Sequence, residues 1–189
     1  KWEKQARDLK VRLRVEAYGV KKGKIYGGIY QDGQFGTFGG GLDGKKPEQA
    51  GKEEYREEGG YLLNNVRRIP MPAAHYVWGK ADIAQAHRTG KQGRIKQFPD
   101  GMLTHYVIGD LGKKVKKAKG LKHSTGLRNL KMYTPDQALN YLPTTDKRSR
   151  VRRKVMQYIK TQISSGSNQT SQKHHINEKR SQDLGIRVN

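Results

Sequence analysis

The stretch Gly39-Gly40-Gly41-Leu42-Asp43-Gly44, continued by Pro47-Glu48-Gln49-Ala50 and by Glu53-Glu54-Tyr55-Arg56-Glu57-Glu58-Gly59-Gly60-Tyr61, decides how this 189-residue chain is read. Glycine at this density marks tight turns and close backbone approach beside a ligand, because it has no Cβ and adopts positive φ freely. Pro47 suits the first turn of a helix and Gly59-Gly60 its stop, so a helix is expected from about Pro47 to Glu58. Its last turn would carry Glu53, Glu54, Glu57 and Glu58. The pairs Glu54/Glu58 and Glu53/Glu57 are four apart and Glu54/Glu57 three apart, where like charges repel by about 0.2–0.5 kcal/mol per pair. These carboxylates also stand at the helix C-terminus, which favours cations, and Lys52 and Arg56 offset only part of the conflict. In a chain with 17 acidic residues, four within six positions at the wrong helix end suggest a missing counter-charge. A hard divalent cation would supply it, since Mg²⁺ takes a few carboxylates and completes its shell with water and phosphate oxygens. Taken alone, the four glutamates read equally as a solvated acidic face.

Outward from this stretch the chain is patterned for a sheet. Val11, Leu13, Val15 and Ala17 alternate with Arg12, Arg14, Glu16 and Tyr18, the period of a half-buried strand. Lys24 to Tyr30 and Gln34 to Phe38 follow as strands around the turn Gln31-Asp32-Gly33. Of 23 glycines, 13 lie between Gly19 and Gly60, so the glycine density falls inside strand patterning and argues for ordered turns. After the acidic helix, Tyr61 to Ile69, Ala74 to Gly79 and Leu103 to Gly109 are further strands. Between the last two, Lys80 to Gly101 is a basic polar connection with one helical turn near Ile83 to Ala86. Thr134-Pro135-Asp136-Gln137 opens a short helix with a capping threonine, a first-turn proline and a glutamine three residues on. A longer helix is expected from about Asp146 to Ile163, with Val151, Val155, Met156, Ile159 and Ile163 as its apolar stripe. Beyond Ser164 the composition turns to Ser, Gln, Asn, Lys and His, which in isolation predicts disorder.

The glycine loop and glutamate helix closely resemble the Nudix box. That pattern is a glycine, five variable residues and Glu, then seven residues leading to Arg-Glu, an apolar residue, any residue, Glu-Glu, any residue and Gly. The specific resemblance covers residues 39–61 and the fold-level resemblance about 8–163. It implies an α+β fold, a Nudix-like α/β/α sandwich around a mixed sheet, here with a basic C-terminal helix and a polar tail. Organisation would then be a 1–10 extension, an 11–163 domain and a 164–189 tail. The family's common metal-binding glutamates fall on Glu54, Glu57 and Glu58, implying Mg²⁺ (or Mn²⁺) as cofactor. Glu54 and Glu58 would be primary ligands, Glu57 a second ligand or base, and Glu57 and Glu58 the catalytic pair. Gly40 and Gly41 would face the substrate. Two positions depart from the pattern: the first motif glutamate falls on Lys45 and the motif arginine on Glu53. If Gly40 begins the motif, the loop is also one residue short. The two replacements are opposite in sign, so Lys45 and Glu53 are expected to form the same bracing ion pair with charges exchanged. The rival reading is a box drifting from catalysis.

A formal net charge of +22 is large for an enzyme of small anions and suits a chain that lies against polyphosphate. Gly112 to Met132 holds eight Lys/Arg and no acid, and Lys113 to Lys119 is placed to steer phosphates. Lys147, Arg148, Arg150, Arg152, Arg153 and Lys154 open the last helix where its dipole disfavours cations, which makes them candidate nucleic-acid contacts. No aromatic is interleaved there, so base stacking is not expected in this run. The absence of cysteine removes disulfides, thiolate zinc sites and a thiol nucleophile, and fits a reducing compartment. The six histidines are scattered without metal-ligand spacing. Asn168-Gln169-Thr170 matches a glycosylation acceptor and is read as chance. No membrane span is expected. Two functions follow: a Nudix-type pyrophosphohydrolase of a nucleoside diphosphate linkage or a 5′ RNA phosphate end, or a non-catalytic nucleic-acid-binding component of a nucleoprotein particle such as an organellar ribosome or virion.

Overall fold

The computed structural model describes residues 10–116 and 126–183; the expected 1–10 extension, apart from Lys10, and the lysines of 117–125 lie outside them. Strands β1 (Arg12–Lys21), β2 (Lys24–Ile29) and β3 (Phe35–Gly36) lead into helix α1 (Pro47–Glu54). Then come β4 (Tyr61–Arg68), β5 (Ala74–Tyr76), α2 (Lys80–Arg88), α3 (Gln92–Gln97), β6 (Met102–Lys114), β7 (Arg128–Tyr133), α4 (Pro135–Asn140) and α5 (Lys147–Asp183). The strands form one mixed sheet ordered β3-β2-β1-β6-β4, with β7 added on β2 and β5 on β6. Only β1 and β6 run parallel among the described pairs, in continuous register from Arg12↔Met102 to Val20↔Asp110.

Two cores lie on opposite faces of this sheet. Val15, Ala17, Val107 and Leu111 pack on Ala50 and Tyr55 of the α1 segment together with Phe38, Leu42 and Leu63. Tyr18, Ile25, Tyr106 and Ile108 pack on the other side against Ala138, Leu142, Val155, Met156 and Ile159 of α4 and α5. The architecture is therefore an α/β/α sandwich. β1 was expected to be half-buried from its alternation; instead both its faces are covered from Val15 to Gly19, and Glu16 and Tyr18 lie inside. Central strands of a sheet layered on both sides have no solvent face. α1 sits close to the sheet because Gly51 faces it: a Cβ there would stand 2.6 Å from Val107 Cγ2.

Several boundaries differ from the expected ones. β7 and α3 are additional elements. Four of the six residues of β7 are exposed, so this edge strand carries no alternation to read. α5 continues past Ile163 to Asp183 where the composition predicts disorder. Its polar stretch holds one glycine, Gly166, and no proline, so nothing in it stops a helix already nucleated on the apolar stripe. No described helix is long and apolar enough to cross a membrane.

Candidate active site

α1 keeps α geometry to Glu54 and then widens into a π turn, Tyr55–Gly59. Single π turns inside helices are rare and recur at functional sites, since the wider ring re-aims the side chains it carries. Tyr55 fixes this turn to the sheet. Its buried ring packs edge-on against Phe38, centroids 4.8 Å apart, while its hydroxyl donates to the Tyr26 carbonyl at 2.5 Å and accepts from the Gly19 N–H at 3.0 Å. Gly60 closes the turn at φ 71° with its N–H donating to the Tyr55 carbonyl. The direction of Glu57 and Glu58 is therefore set by contacts to β1 and β2.

The glycine loop meets these glutamates directly. A Cβ on Gly40 would stand 1.8 Å from Glu54 Oε1, so only glycine lets that carboxylate lie on the loop. The Gly39 backbone N–H lies near enough to Glu58 to favour its charged form. Counted from Gly39 rather than Gly40, the glycine-to-helix spacing closes without a missing residue, which gives Gly39 the leading place. Burial pushes the Glu58 carboxyl up to about 7; the Glu54 charge adds to the rise, while the Gly39 N–H and Arg14 oppose it. Glu54 is raised as well, by burial first and then by Glu57. Glu54 and Glu58 are thus costly to ionise, through burial and through the neighbouring carboxylates. Lys45 and Glu53 form the expected charge-exchanged pair at the exposed edge of the loop, and Gln49 Nε2 donates to Glu53 at 3.4 Å.

On the far side of the glycines stand two arginines that sequence reasoning left on the strand face. Arg14 Nη2 lies 3.5 Å from the Gly39 carbonyl, and Arg12 Nη2 would be 3.3 Å from a Cβ on Gly41. Both fall within the field of Glu54. Their alternation with Val11, Leu13 and Val15 gave no sign of this, because the loop that reaches them lies some 25 residues away, as in Arg14 and Gly39.

The six cations expected to contact nucleic acid separate in the structure. Lys147, Arg150 and Lys154 are exposed, while Arg148 and Arg153 are partly buried. Arg152 is corrected outright: it is 3 % exposed, with Nε 2.8 Å from Oε1 of buried Glu16. The helical period puts Arg152 in line with Val155, Met156 and Ile159 on the face that meets the sheet. Arg153 Nη1 donates to the Leu139 and Leu142 carbonyls at 2.9 and 2.6 Å, satisfying the end of α4. Of the six, only the three exposed residues keep their charged ends wholly at the surface.

No protein-family model matches the sequence, and no curated protein matches it significantly. Among solved structures, an ADP compounds hydrolase superposes with a TM-score of 0.50 at 13% identity, over 82% of this chain and 74% of that one. The fold is that of the Nudix hydrolases. A MutT Nudix hydrolase from Burkholderia pseudomallei (TM-score 0.47, 16% identity, 74% of this chain and 93% of that one) and a UDP-X diphosphatase (0.46, 16%, 88% and 72%) are also similar. At these identities the likeness is one of fold. On this Nudix fold, residues 39–61 form the loop–helix–loop beside the sheet, with Glu54, Glu57 and Glu58 at the helix end nearest the glycines.

Nudix hydrolases generally use a divalent metal, and the donor set of this chain fits one. Glu54, Glu57 and Glu58 are mutually repelling carboxylates that a hard cation would stabilise. Among the described residues no three Asp, Glu or His side chains are already gathered into a closed cage. Mg²⁺ does not need one, because it retains several waters and takes substrate oxygens as ligands.

Proposed function

We propose that the chain is a Mg²⁺-dependent (or Mn²⁺-dependent) Nudix-type pyrophosphohydrolase. Water attacks one phosphorus of a diphosphate linkage in a nucleoside diphosphate derivative or at a 5′ RNA end, the bond from that phosphorus to the bridging oxygen breaks, and two phosphate-bearing products leave. The observation that carries this reading is the placement of Glu54 and Glu58 on the Gly39–Gly40 backbone, with Glu58 raised to about 7. Glu54 and Glu58 would hold the metal, with Glu57 as second ligand or base. When bound, the metal neutralises phosphate charge and lowers the pKa of its water. The raised Glu58 carboxyl reflects burial beside Glu54, a cost that a bound cation would offset. Gly40 and Gly41 leave the loop backbone open to close approach by the diphosphate. The test is Mg²⁺-dependent release of nucleoside monophosphate. Glu58→Gln should lower kcat by about 100-fold or more, and absence of turnover by the wild-type chain across nucleotides and 5′-phosphorylated RNAs overturns the reading.

A nucleic-acid partner is a second proposal, favoured by the charge of +22 and by the exposed Lys147, Arg150 and Lys154. It is compatible with catalysis and with a structural role in a nucleoprotein particle.

A further inference from the structure

Opposite charges face each other across Gly39–Gly41 without closing. Glu54, Glu57 and Glu58 lie on the helix side, and Arg12 and Arg14 on the β1 side. Among the described residues neither arginine forms an ion pair or hydrogen bond with these glutamates. Among the described residues the Arg12 side chain has no hydrogen-bond acceptor. Arg14 donates only to Met102 Sδ at 3.6 Å and to the Gly39 carbonyl at 3.5 Å, and its Nε is shielded from solvent without a partner. Two residues along the same strand, Glu16 and Arg152 do close, at 2.8 Å, so pairing is within the reach of this fold where it serves packing.

Further positive charge is gathered here and only partly offset, by Glu16 near Arg14 and by Asp43 and Glu54 near Arg12. Arg94 of α3 adds its field at Arg12, and Arg148 of α5 adds its field at Arg14 while lying 6.0 Å over the Tyr76 ring. Burial, then Arg14 and Arg94, lower Arg12 to about 10 despite Asp43 and Glu54. Orphaned donors under net positive field are the complement of an anion, and separated carboxylates are the complement of a cation. A ligand that is itself a cation–anion pair satisfies both.

We propose that Arg12 and Arg14 form an anion-holding jaw that takes the phosphate oxygens of a metal-bound diphosphate across Gly39–Gly41 from the glutamates. The identity of the ligand rests on the hydrolase reading; the jaw itself rests on the unpaired guanidiniums. Arg12 and Arg14 are positioning residues, each able to give forked hydrogen bonds to phosphate.

The experiment is calorimetric titration of the full chain with imidodiphosphate, whose bridging nitrogen resists hydrolysis, with and without Mg²⁺, alongside titration with Mg²⁺ alone. Arg12→Met and Arg14→Met should each weaken binding of Mg²⁺–imidodiphosphate by about tenfold or more and leave Mg²⁺ binding unchanged, with Arg14→Lys in between. Unchanged imidodiphosphate binding in both Met variants overturns the jaw. So does an equal loss of Mg²⁺ binding, which would mark a structural role. Should Arg14→Met fail to fold, Arg12→Met decides, since among the described residues the Arg12 side chain has no hydrogen bond to lose. A wild-type chain that binds Mg²⁺–imidodiphosphate through both arginines but never turns over removes the hydrolase and keeps the jaw. Turnover with Arg-independent binding does the reverse.

Discussion

Lys45 and Glu53 carry, in exchanged positions, the charges that the Nudix pattern places as glutamate and arginine, and in the structure they meet. Their pairing raises the Lys45 pKa and lowers that of Glu53, each chiefly through the hydrogen bond between them. Lys45 is exposed and Glu53 partly so, and the pair is expected to brace the loop against α1 rather than to contribute much global stability. Lys45→Glu should therefore lower kcat/KM severalfold with little change in melting temperature, and adding Glu53→Arg should recover most of it. A double-mutant cycle measures this coupling, and additive losses would show that the pair does not brace the site. The swap was legible from sequence because a spacing rule named both positions before any geometry was known. Arg12 and Arg14 were not legible. What distinguishes them is partial burial without an ion-pair partner among the described residues, which is a property of three-dimensional neighbours.

At the scale of elements, α5 shows the same division. Its apolar stripe was plain in Val155, Met156 and Ile159, and all three are buried. Arg152 was expected to contact nucleic acid, because cations at a helix N-terminus have no local stabilising reason. The sequence does hold its answer, Glu16, but the two are joined only once β1 and α5 pack. Tyr18 also donates to Glu16 Oε1 at 3.1 Å, and the Tyr30 ring lies 5.6 Å from the Arg152 guanidinium. Burial alone would raise Glu16, yet Arg152, Arg148 and Arg14 outweigh it and hold the carboxyl below its usual value. A depressed folded pKa stabilises above the unfolded value of 4.5, and that contribution is lost as pH falls through the folded value. Glu16→Gln should remove this part of the acid-side decline. It should also cost about 3–5 kcal/mol at neutral pH, because Arg152 is left as a buried uncompensated charge. Adding Arg152→Met should return much of that loss. Chemical denaturation from pH 7 to 3 tests both points, and a Glu16→Gln protein as stable as the parent at pH 7 would contradict them.

Across the whole molecule, positive charge is placed in two ways. Arg12, Arg14 and Arg148 converge near the glycine loop, whereas Lys147, Arg150 and Lys154 stay at the surface where α5 begins. Lys113, Lys114 and Lys116 extend the exposed basic surface from the end of β6. A net charge of +22 distributed in this way gives long-range attraction to any polyanion, and the surface cations can touch phosphates without disturbing either core. Binding of a single-stranded RNA of mixed sequence should then weaken linearly on a log–log plot against salt. Replacing Lys147, Arg150 and Lys154 together by alanine should reduce the slope by about 2, given roughly 0.7 per phosphate contact on a single strand. Hydrolysis of a mononucleotide diphosphate derivative by the same triple variant should be unaffected, because none of the three residues belongs to the glutamate edge or the arginine jaw. Fluorescence anisotropy at several salt concentrations measures the slope. An unchanged slope would remove this end of α5 from the nucleic-acid surface and leave the charge of the chain to other lysines and arginines.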